Sequence, residues 1–373
     1  VDRQTIVVKI GTSSLTDGRG RLDQGWLRHH VRSLIELKRR GARVVLVSSG
    51  AIAAGFHELG LSERPRTLAG KQAAAAAGQG ALVQYYREQF AAAGEICAQV
   101  LLTRSDFDHR RRYLNALNTL NFLLDKGGVP VINENDSVSV EEIRWGDNDT
   151  LAALVAGLLQ ADWLLLVTNT DGLFNEDPRR NPSARSIPHL TRVEDRLIAD
   201  LNDSKHPLGS GGMRSKLLAA KRAAETGVQV YIGTPKRKSD WMRGSIEGKG
   251  SGTYIDRSSG HVSRKVQWIT VHSAPGGQVE VDEGAVCALL RKGGSLLPCG
   301  VVKVKGRFEE GEIVSVTDSL GRSIGRGVVR YSADFLDRVK GWKSSEVQAV
   351  QPGSPEEVIH RDDWVAVTAV EES

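Results

Sequence analysis

Val129-Pro130-Val131-Ile132-Asn133-Glu134-Asn135-Asp136, followed by Gly146-Asp147-Asn148-Asp149 and a helix-like stretch over 150–159, decides how the chain is read. A short β-branched run closes on amides and carboxylates. A second acidic, amide-rich cluster then opens an apolar helix. The pair predicts a strand end facing a helix start. Asn and Asp are favoured in turns and N-caps for purely structural reasons. The same groups also suit a polar small-molecule site, where they hold an ammonium group or orient a lysine beside phosphates. The rest of the sequence must choose between the two.

Working outward, the first two-thirds of the chain repeats that alternation. Thr5-Ile6-Val7-Val8-Lys9-Ile10 predicts a strand. Residues 22–40 place Leu27, Val31, Leu34 and Leu37 on one helical face and stop at Gly41. Further strands are expected over 43–47, 96–102, 129–132, 163–167 and 228–232, and further helices over 71–93 and 113–125. Apolar strands separated by helices make an α/β fold, a mainly parallel sheet sandwiched by helices. Ligands of such sheets bind beyond the carboxyl ends of the strands.

The texture changes after about residue 256. A Ser/Gly/Arg-rich stretch runs over 256–265. Short alternating segments with close glycines follow over 278–281, 301–304, 312–316 and 323–329. They predict a small β-rich second domain. A chain of 373 residues suits two domains. The division expected is 1–257 for the catalytic domain, 258–275 for a linker, 276–356 for the β-rich domain and 357–373 for a C-terminal segment.

With 40% hydrophobic and 25% charged residues, the composition is that of a soluble globular protein. No apolar run is long enough to cross a bilayer, and Val1-Asp2-Arg3-Gln4 does not read as a secretory leader. A cytoplasmic protein is expected. The net charge of +5 suits anionic substrates and permits nucleic-acid contact without requiring it. Cys97, Cys287 and Cys299 are widely spaced. They read as reduced thiols, Cys97 within a buried strand, and give no zinc or disulfide framework. The histidines show no metal or triad spacing, and no metal ligands are assigned. His109, beside Arg110, Arg111 and Arg112, reads as part of a solvated charged turn.

Glycine and hydroxyl residues collect at strand-to-helix junctions: Lys9-Ile10-Gly11-Thr12-Ser13-Ser14, Ser48-Ser49-Gly50-Ala51, and Gly209-Ser210-Gly211-Gly212-Met213-Arg214-Ser215-Lys216 ahead of a helix over 217–226. Glycines let backbone N–H groups approach an anion, and a helix N-terminus adds partial positive charge. None of these loops has the order of a P-loop or a dinucleotide fingerprint. Lys9 follows three β-branched apolar residues, where an ammonium is costly to bury without a partner. Phosphoryl transfer needs alignment and positive charge more than covalent help. A carboxylate acceptor is already ionised at neutral pH and needs no general base. Lysines, glycine loops and no paired histidine fit that chemistry.

Taken in order, Val7 to Ser13, Ser48 to Gly55, Leu101-Leu102-Thr103-Arg104, Val129 to Asp136, Gly146 to Asp149 and Gly211-Gly212-Met213-x-x-Lys216 resemble the amino acid kinase family over nearly the whole chain. The C-terminal part is similar to a PUA domain through Val281-Asp282-Glu283-Gly284-Ala285, Gly294-Ser295-Leu296-Leu297-Pro298-x-Gly300-Val301, Val304-x-Gly306-x-Phe308 and Gly325-Arg326-Gly327-Val328. The resemblance implies transfer of phosphate from ATP, with Mg2+, to the side-chain carboxylate of L-glutamate, the first step of proline synthesis. It implies that Lys9 and Lys216 stabilise the phosphates, that Asp149 orients those lysines, and that Ser49, Asn133, Asp136 and Asn148 form the glutamate site. Asp136 suits the ammonium, and Ser49 and Asn148 suit the α-carboxylate. Lys9, Gly11, Thr168, Asn169, Ser210, Gly211, Gly212, Met213, Arg214, Ser215 and Lys216 would hold the nucleotide. Asn169 departs from the family, which often has Asp there.

The resemblance further implies proline as a feedback inhibitor, a homodimer or homotetramer, a glutamyl phosphate reductase as partner, and RNA binding through the PUA domain. The segment 103–112 is a candidate effector-linked loop. Two other readings stand beside it: a related kinase acting on N-acetylglutamate, aspartate or UMP, and an RNA-binding protein carrying a degenerate kinase fold.

Overall fold

A computed structural model of the chain describes residues 4–18, 20–138, 148–176, 178, 181–200, 212–235, 240–258, 268–269, 275–291 and 293–366. The chain divides into two compact units, Val1–Arg104 with Asn115–His261, and Ser105–Leu114 with Val262–Ser373.

In the first part of the chain, strands β1 (Thr5–Ile10), β2 (Arg43–Ser48), β3 (Cys97–Leu102), β4 (Val129–Glu134) and β5 (Trp163–Val167) alternate with helices α1 (Gln24–Arg39), α2 (Ala51–Gly55), α3 (Leu68–Ala91), α4 (Ser105–Asp108), α5 (Arg110–Asp125) and α6 (Asn148–Leu159). There follow β6 (Leu173–Phe174), β7 (Ser186–Ile187), β8 (His189–Leu190), α7 (Asp195–Asp200), α8 (Met213–Glu225), β9 (Gln229–Gly233), α9 (Trp241–Ile246) and β10 (Thr253–Ile255). One eight-stranded sheet has the order β3-β4-β2-β1-β5-β9-β10-β8. The pairs from β3 to β9 are parallel, and β10 runs antiparallel to β9. The order reverses about β1. The chain leaves it toward β2 and returns to lay β5 on its other side, which gathers the carboxyl ends of β1, β2, β4 and β5 at one edge.

Side-chain alternation sorts β1 between two layers. Ile6, Val8 and Ile10 pack with Leu27, Val31 and Leu34 of α1 and Leu82, Tyr86 and Phe90 of α3. Lys9 shares the opposite face with Val7, where α6 packs on β1 and α8 packs on α6. The α1 stripe is the one expected from its spacing. Its start is set by Asp23, whose Oδ1 accepts from Gly25 N at 2.8 Å and Trp26 N at 3.1 Å. Gly55 of α2 and Gly78 of α3 meet backbone to backbone. A Cβ on Gly78 would stand 2.0 Å from the Ala51 carbonyl oxygen, and one on Gly55 2.0 Å from that of Ala74. Only glycine permits that approach.

Cys97 departs from expectation. It lies in β3 but is half-buried, because β3 is the edge of the sheet.

In the second unit a five-stranded sheet has the order β12-β11-β13-β14-β15, from β11 (Gly277–Val281), β12 (Val301–Gly306), β13 (Ile313–Thr317), β14 (Ser323–Val328) and β15 (Trp364–Ala366). Helices α10 (Glu283–Arg291), α11 (Ala333–Val339) and α12 (Ser344–Val350) accompany it. Val279, Val281, Val314, Val316, Leu336 and Val347 form its core. The unit is thus β-rich but carries helices that the alternating pattern did not disclose. The stretch set apart as a C-terminal segment supplies β15, which pairs with β14.

Residues 105–114 cluster with this second unit, and the charged turn expected there is mostly helix. Arg110 opens α5, and its guanidinium lies 5.0 Å from the centre of the buried Trp268 ring. Trp268 Nε1 donates to the Phe107 carbonyl at 2.8 Å, and His109 Nδ1 lies 3.4 Å from Glu312 Oε1. Arg110 is therefore held over an aromatic ring rather than solvated. Among the described residues, no helix is long and apolar enough to cross a membrane.

Candidate functional site

Lys9 is the fifth residue of β1, in register with Val47 of β2 and Leu166 of β5. A lysine in the centre of a buried sheet demands a counter-charge. Asp149, in the first turn of α6, supplies it. Lys9 Nζ lies 2.6 Å from Asp149 Oδ1, and Lys216 Nζ lies 2.8 Å from Asp149 Oδ2. The three side chains are 4%, 0% and 7% exposed, so the triad is an interior one. Ser215 Oγ stands 3.2 Å from Asp149 Oδ2 and 2.9 Å from the Gly212 carbonyl. One carboxylate thus spaces two ammonium groups beside the loop after β1. A carboxylate at a helix N-terminus is also favoured by the helix dipole.

Gly11 ends β1 and opens a 3-10 turn over Thr12–Ser14. A Cβ there would lie 3.3 Å from Lys9 Nζ. Glycine keeps the space above that ammonium open, which an arriving anion requires.

A second cluster sits beside the first because Asn148 precedes Asp149. Asn148 Nδ2 stands 3.1 Å from the Ser48 carbonyl, 2.9 Å from Ser49 Oγ and 2.9 Å from Asn133 Oδ1. Asn133 Oδ1 also accepts from Glu134 N at 2.9 Å, and Asn133 Nδ2 donates to Gln79 Oε1 at 2.8 Å. Asn148 Oδ1 is buried with no hydrogen-bond partner among the described residues. Its N–H₂ faces Ser48, Ser49 and Asn133, which leaves its oxygen as an acceptor. Ser49 Oγ, which accepts from Asn148, keeps its own O–H for a carboxylate.

Two devices hold Ser49 in place. Gly50 adopts φ +109, a left-handed turn that lets α2 start immediately after β2. Behind it, Ser48 Oγ lies 2.8 Å from the hydroxyl of the fully buried Tyr86 and donates to the Ser49 carbonyl at 2.9 Å. Burial holds the Tyr86 phenol well above its ordinary pKa, so it stays neutral.

Of the other expected site residues, Asp136 stands half-buried in the turn beyond β4, where Val138 N donates to the Asn135 carbonyl at 3.2 Å. Thr168 follows β5, is buried, and donates its N–H to the Gly233 carbonyl at 3.0 Å, while Asn169 beside it is exposed. Gly212 caps α8, and Met213, Arg214, Ser215 and Lys216 form its first turn. Gly146, Asp147, Ser210 and Gly211 lie outside the described residues. Gln79 and Tyr86 were not anticipated, and Ser48 entered only as part of the Ser48–Ala51 junction. A glutamine in an alanine-rich helix and a tyrosine at core spacing carry no signal of their own.

Among the described residues no group of His, Cys, Asp and Glu side chains gathers to hold a metal ion. Asp149 is paired with both Lys9 and Lys216.

The profile of the Amino acid kinase family matches residues 4–234, and that of the PUA domain matches 277–350. The chain is 46% identical over 366 residues to a glutamate 5-kinase of Bacillus cereus (strain G9842), covering 98% of this chain and 100% of that protein. It is 48% identical over 366 residues to a glutamate 5-kinase of Geobacillus thermodenitrificans (strain NG80-2), covering 98% of each. Among solved structures, carbamate kinase from Giardia lamblia bound to AMP-PNP superposes with a TM-score of 0.50 at 16% identity, over 69% of this chain and 99% of that one. That likeness is one of fold.

Proposed function

The chain belongs to the amino acid kinase family, and from that premise we propose that it phosphorylates the side-chain carboxylate of L-glutamate with ATP. The product is L-glutamyl 5-phosphate, and the reaction is the first step of proline synthesis. The observation that carries this reading is the buried Lys9–Asp149–Lys216 triad, joined through Asn148 to an amide and hydroxyl pocket.

In this reading Lys9 and Lys216 face the phosphates and stabilise the charge that spreads over the transferring group. Asp149 fixes their spacing. A glutamate side-chain carboxylate oxygen attacks the γ-phosphorus in line, the bond from that phosphorus to the β–γ bridging oxygen breaks, and ADP leaves. Ser49 donates to the α-carboxylate, Asn148 Oδ1 and Asp136 receive the ammonium, and Asn133 braces Asn148. Gly11, Thr168, Asn169 and residues 210–216 hold the nucleotide, with the Asn169 amide serving a hydroxyl where a carboxylate is common in the family. Magnesium would come with the ATP phosphates and supply charge neutralisation there, since among the described residues no group of carboxylates and histidines gathers to hold it alone. We assign this chemistry to residues 1–257 and regard the β-rich unit from about 276, β15 included, as an appended PUA domain. Proline as inhibitor at or near the glutamate pocket, a homodimer or homotetramer, a cytoplasmic location and a glutamyl phosphate reductase that takes up the labile product complete the reading.

The test is hydroxamate formation with hydroxylamine, ATP, magnesium and glutamate, with and without proline. The expected result is glutamate-dependent product that proline lowers. Product no greater than in the control without glutamate overturns the reading. A preference for N-acetylglutamate, aspartate or UMP redirects it within the family.

A further inference from the structure

We infer that Gln79 is a positioning residue for the amino-acid pocket, acting through Asn133 on Asn148. The inference rests on the glutamate reading and deepens it.

The polarity of the network is set by groups that cannot reverse. Glu134 N–H is a donor, so the atom of Asn133 that meets it at 2.9 Å is the oxygen. The Ser48 carbonyl is an acceptor, so the atom of Asn148 that meets it at 3.1 Å is the nitrogen. Asn133 then points its N–H₂ away from Asn148, toward α3. Asn133 is only 2% exposed, so bulk water has little access to that donor. Gln79 Oε1 serves it, at 2.8 Å. Without that acceptor the amide loses a buried hydrogen bond and is driven to rotate toward another. Rotation withdraws Asn133 Oδ1 from Asn148 Nδ2, and the buried Asn148 Oδ1 loses its aim. The helix crossing at Gly55 and Gly78 is what brings the residue beside Gly78 within reach, since nothing larger than glycine fits there.

What Gln79 contributes is therefore an acceptor at a fixed place. Gln79→Met keeps the length of the side chain and removes the acceptor. Gln79→Glu keeps both. We expect Gln79→Met to raise the KM for glutamate roughly 5- to 30-fold, the range for losing one buried hydrogen bond. The KM for ATP should stay close to wild type, and the melting temperature should fall by no more than a few degrees. Gln79→Glu should restore most of the glutamate KM. An unchanged glutamate KM in Gln79→Met overturns the inference. So does an equal rise in Gln79→Glu, which keeps both length and acceptor and loses only the amide N–H₂, because the acceptor would then not be what matters. A parallel rise in both KM values with a lowered melting temperature also overturns it, as the mark of a merely structural residue. A wild-type enzyme that makes no glutamyl hydroxamate instead defeats the glutamate reading. A wild-type enzyme that does, alongside a silent Gln79→Met, defeats the inference about Gln79 alone.

Discussion

Asp149→Asn tests the triad directly. The substitution keeps shape and removes the charge that separates Lys9 and Lys216. The two ammonium nitrogens lie 2.6 and 2.8 Å from the oxygens of one carboxylate. Two unit charges on the order of 6 Å apart, at an effective dielectric of about 20, repel by roughly 3 kcal/mol. Removing one partner of a buried pair typically costs about 3–5 kcal/mol of stability. The first unit should therefore melt at a lower temperature. ATP brings negative charge to the same lysines, so it should raise the melting temperature of the variant more than that of wild type. Catalysis should respond differently from binding. Without the Asp149 charge the lysines still attract phosphate, so the KM for ATP should not rise. They no longer sit where charge develops in transfer, so kcat should fall about 10²- to 10³-fold, the loss typical of one misplaced electrostatic stabiliser. The assays are thermal unfolding with and without nucleotide, and hydroxamate kinetics at saturating substrates. A kcat within about threefold of wild type, or an ATP-induced melting shift no larger than that of wild type, would refute the reasoning.

Three further results are expected. Gly78→Ala should destabilise the protein by about 3 kcal/mol, the upper end of ordinary overpacking, because its Cβ would meet the Ala51 carbonyl oxygen at 2.0 Å. Gly80→Ala, two residues on in α3 with nothing within 4 Å of the added Cβ, should instead gain about 0.5–1 kcal/mol, and urea unfolding of both variants checks the contrast. His30 is buried with its Nε2 3.1 Å from the Ser14 carbonyl, and burial lowers its pKa to about 4. The unfolded chain takes up that proton near pH 6.5 while the folded one resists, so the contribution is intact above pH 6.5. It is lost as pH falls toward about 4, by about 3 kcal/mol in all. His30→Gln should flatten that acid limb in the difference between two stability-versus-pH curves. Asp136→Ala should raise the KM for glutamate about 10- to 100-fold, the worth of a charged hydrogen bond, and leave that for ATP nearly unchanged; similar rises in both would remove Asp136 from the ammonium site.

The longer strands and helices were legible because each repeats one local rule: β-branched runs for β1, β2 and β4, a continuous apolar run for β5, and a 3.6-residue stripe for α1. Lys9 was legible as a site residue for the same reason, as a charge that breaks an apolar strand. Strand order was not, and so Cys97 was expected in the interior when it lies in the edge strand β3. β10 is only three residues long and pairs antiparallel with β9, which leaves no local pattern to read. In the second unit, glycines at close intervals masked α10, α11 and α12, which are seven to nine residues long. Gln79 and Tyr86 were invisible for a different reason. Their importance comes from what α3 faces, and that depends on two glycines distant in sequence meeting at one crossing.

The division of labour between Asn148 and Asp149 follows from helix geometry rather than from either residue's chemistry. Consecutive positions on an α-helix point about 100° apart and rise about 1.5 Å. One residue can therefore face β2 and β4 while the next faces β1 and α8. That is the arrangement found: Asn148 reaches Ser48, Ser49 and Asn133, and Asp149 reaches Lys9, Ser215 and Lys216. The first turn of α6 is the hinge point of the site, because it fixes the amino-acid pocket and the phosphate-facing lysines to one rigid element. Any change that rotates this turn should impair glutamate binding and catalysis together, whereas changes confined to one residue's partners, such as Gln79→Met or Asp149→Asn, should separate them.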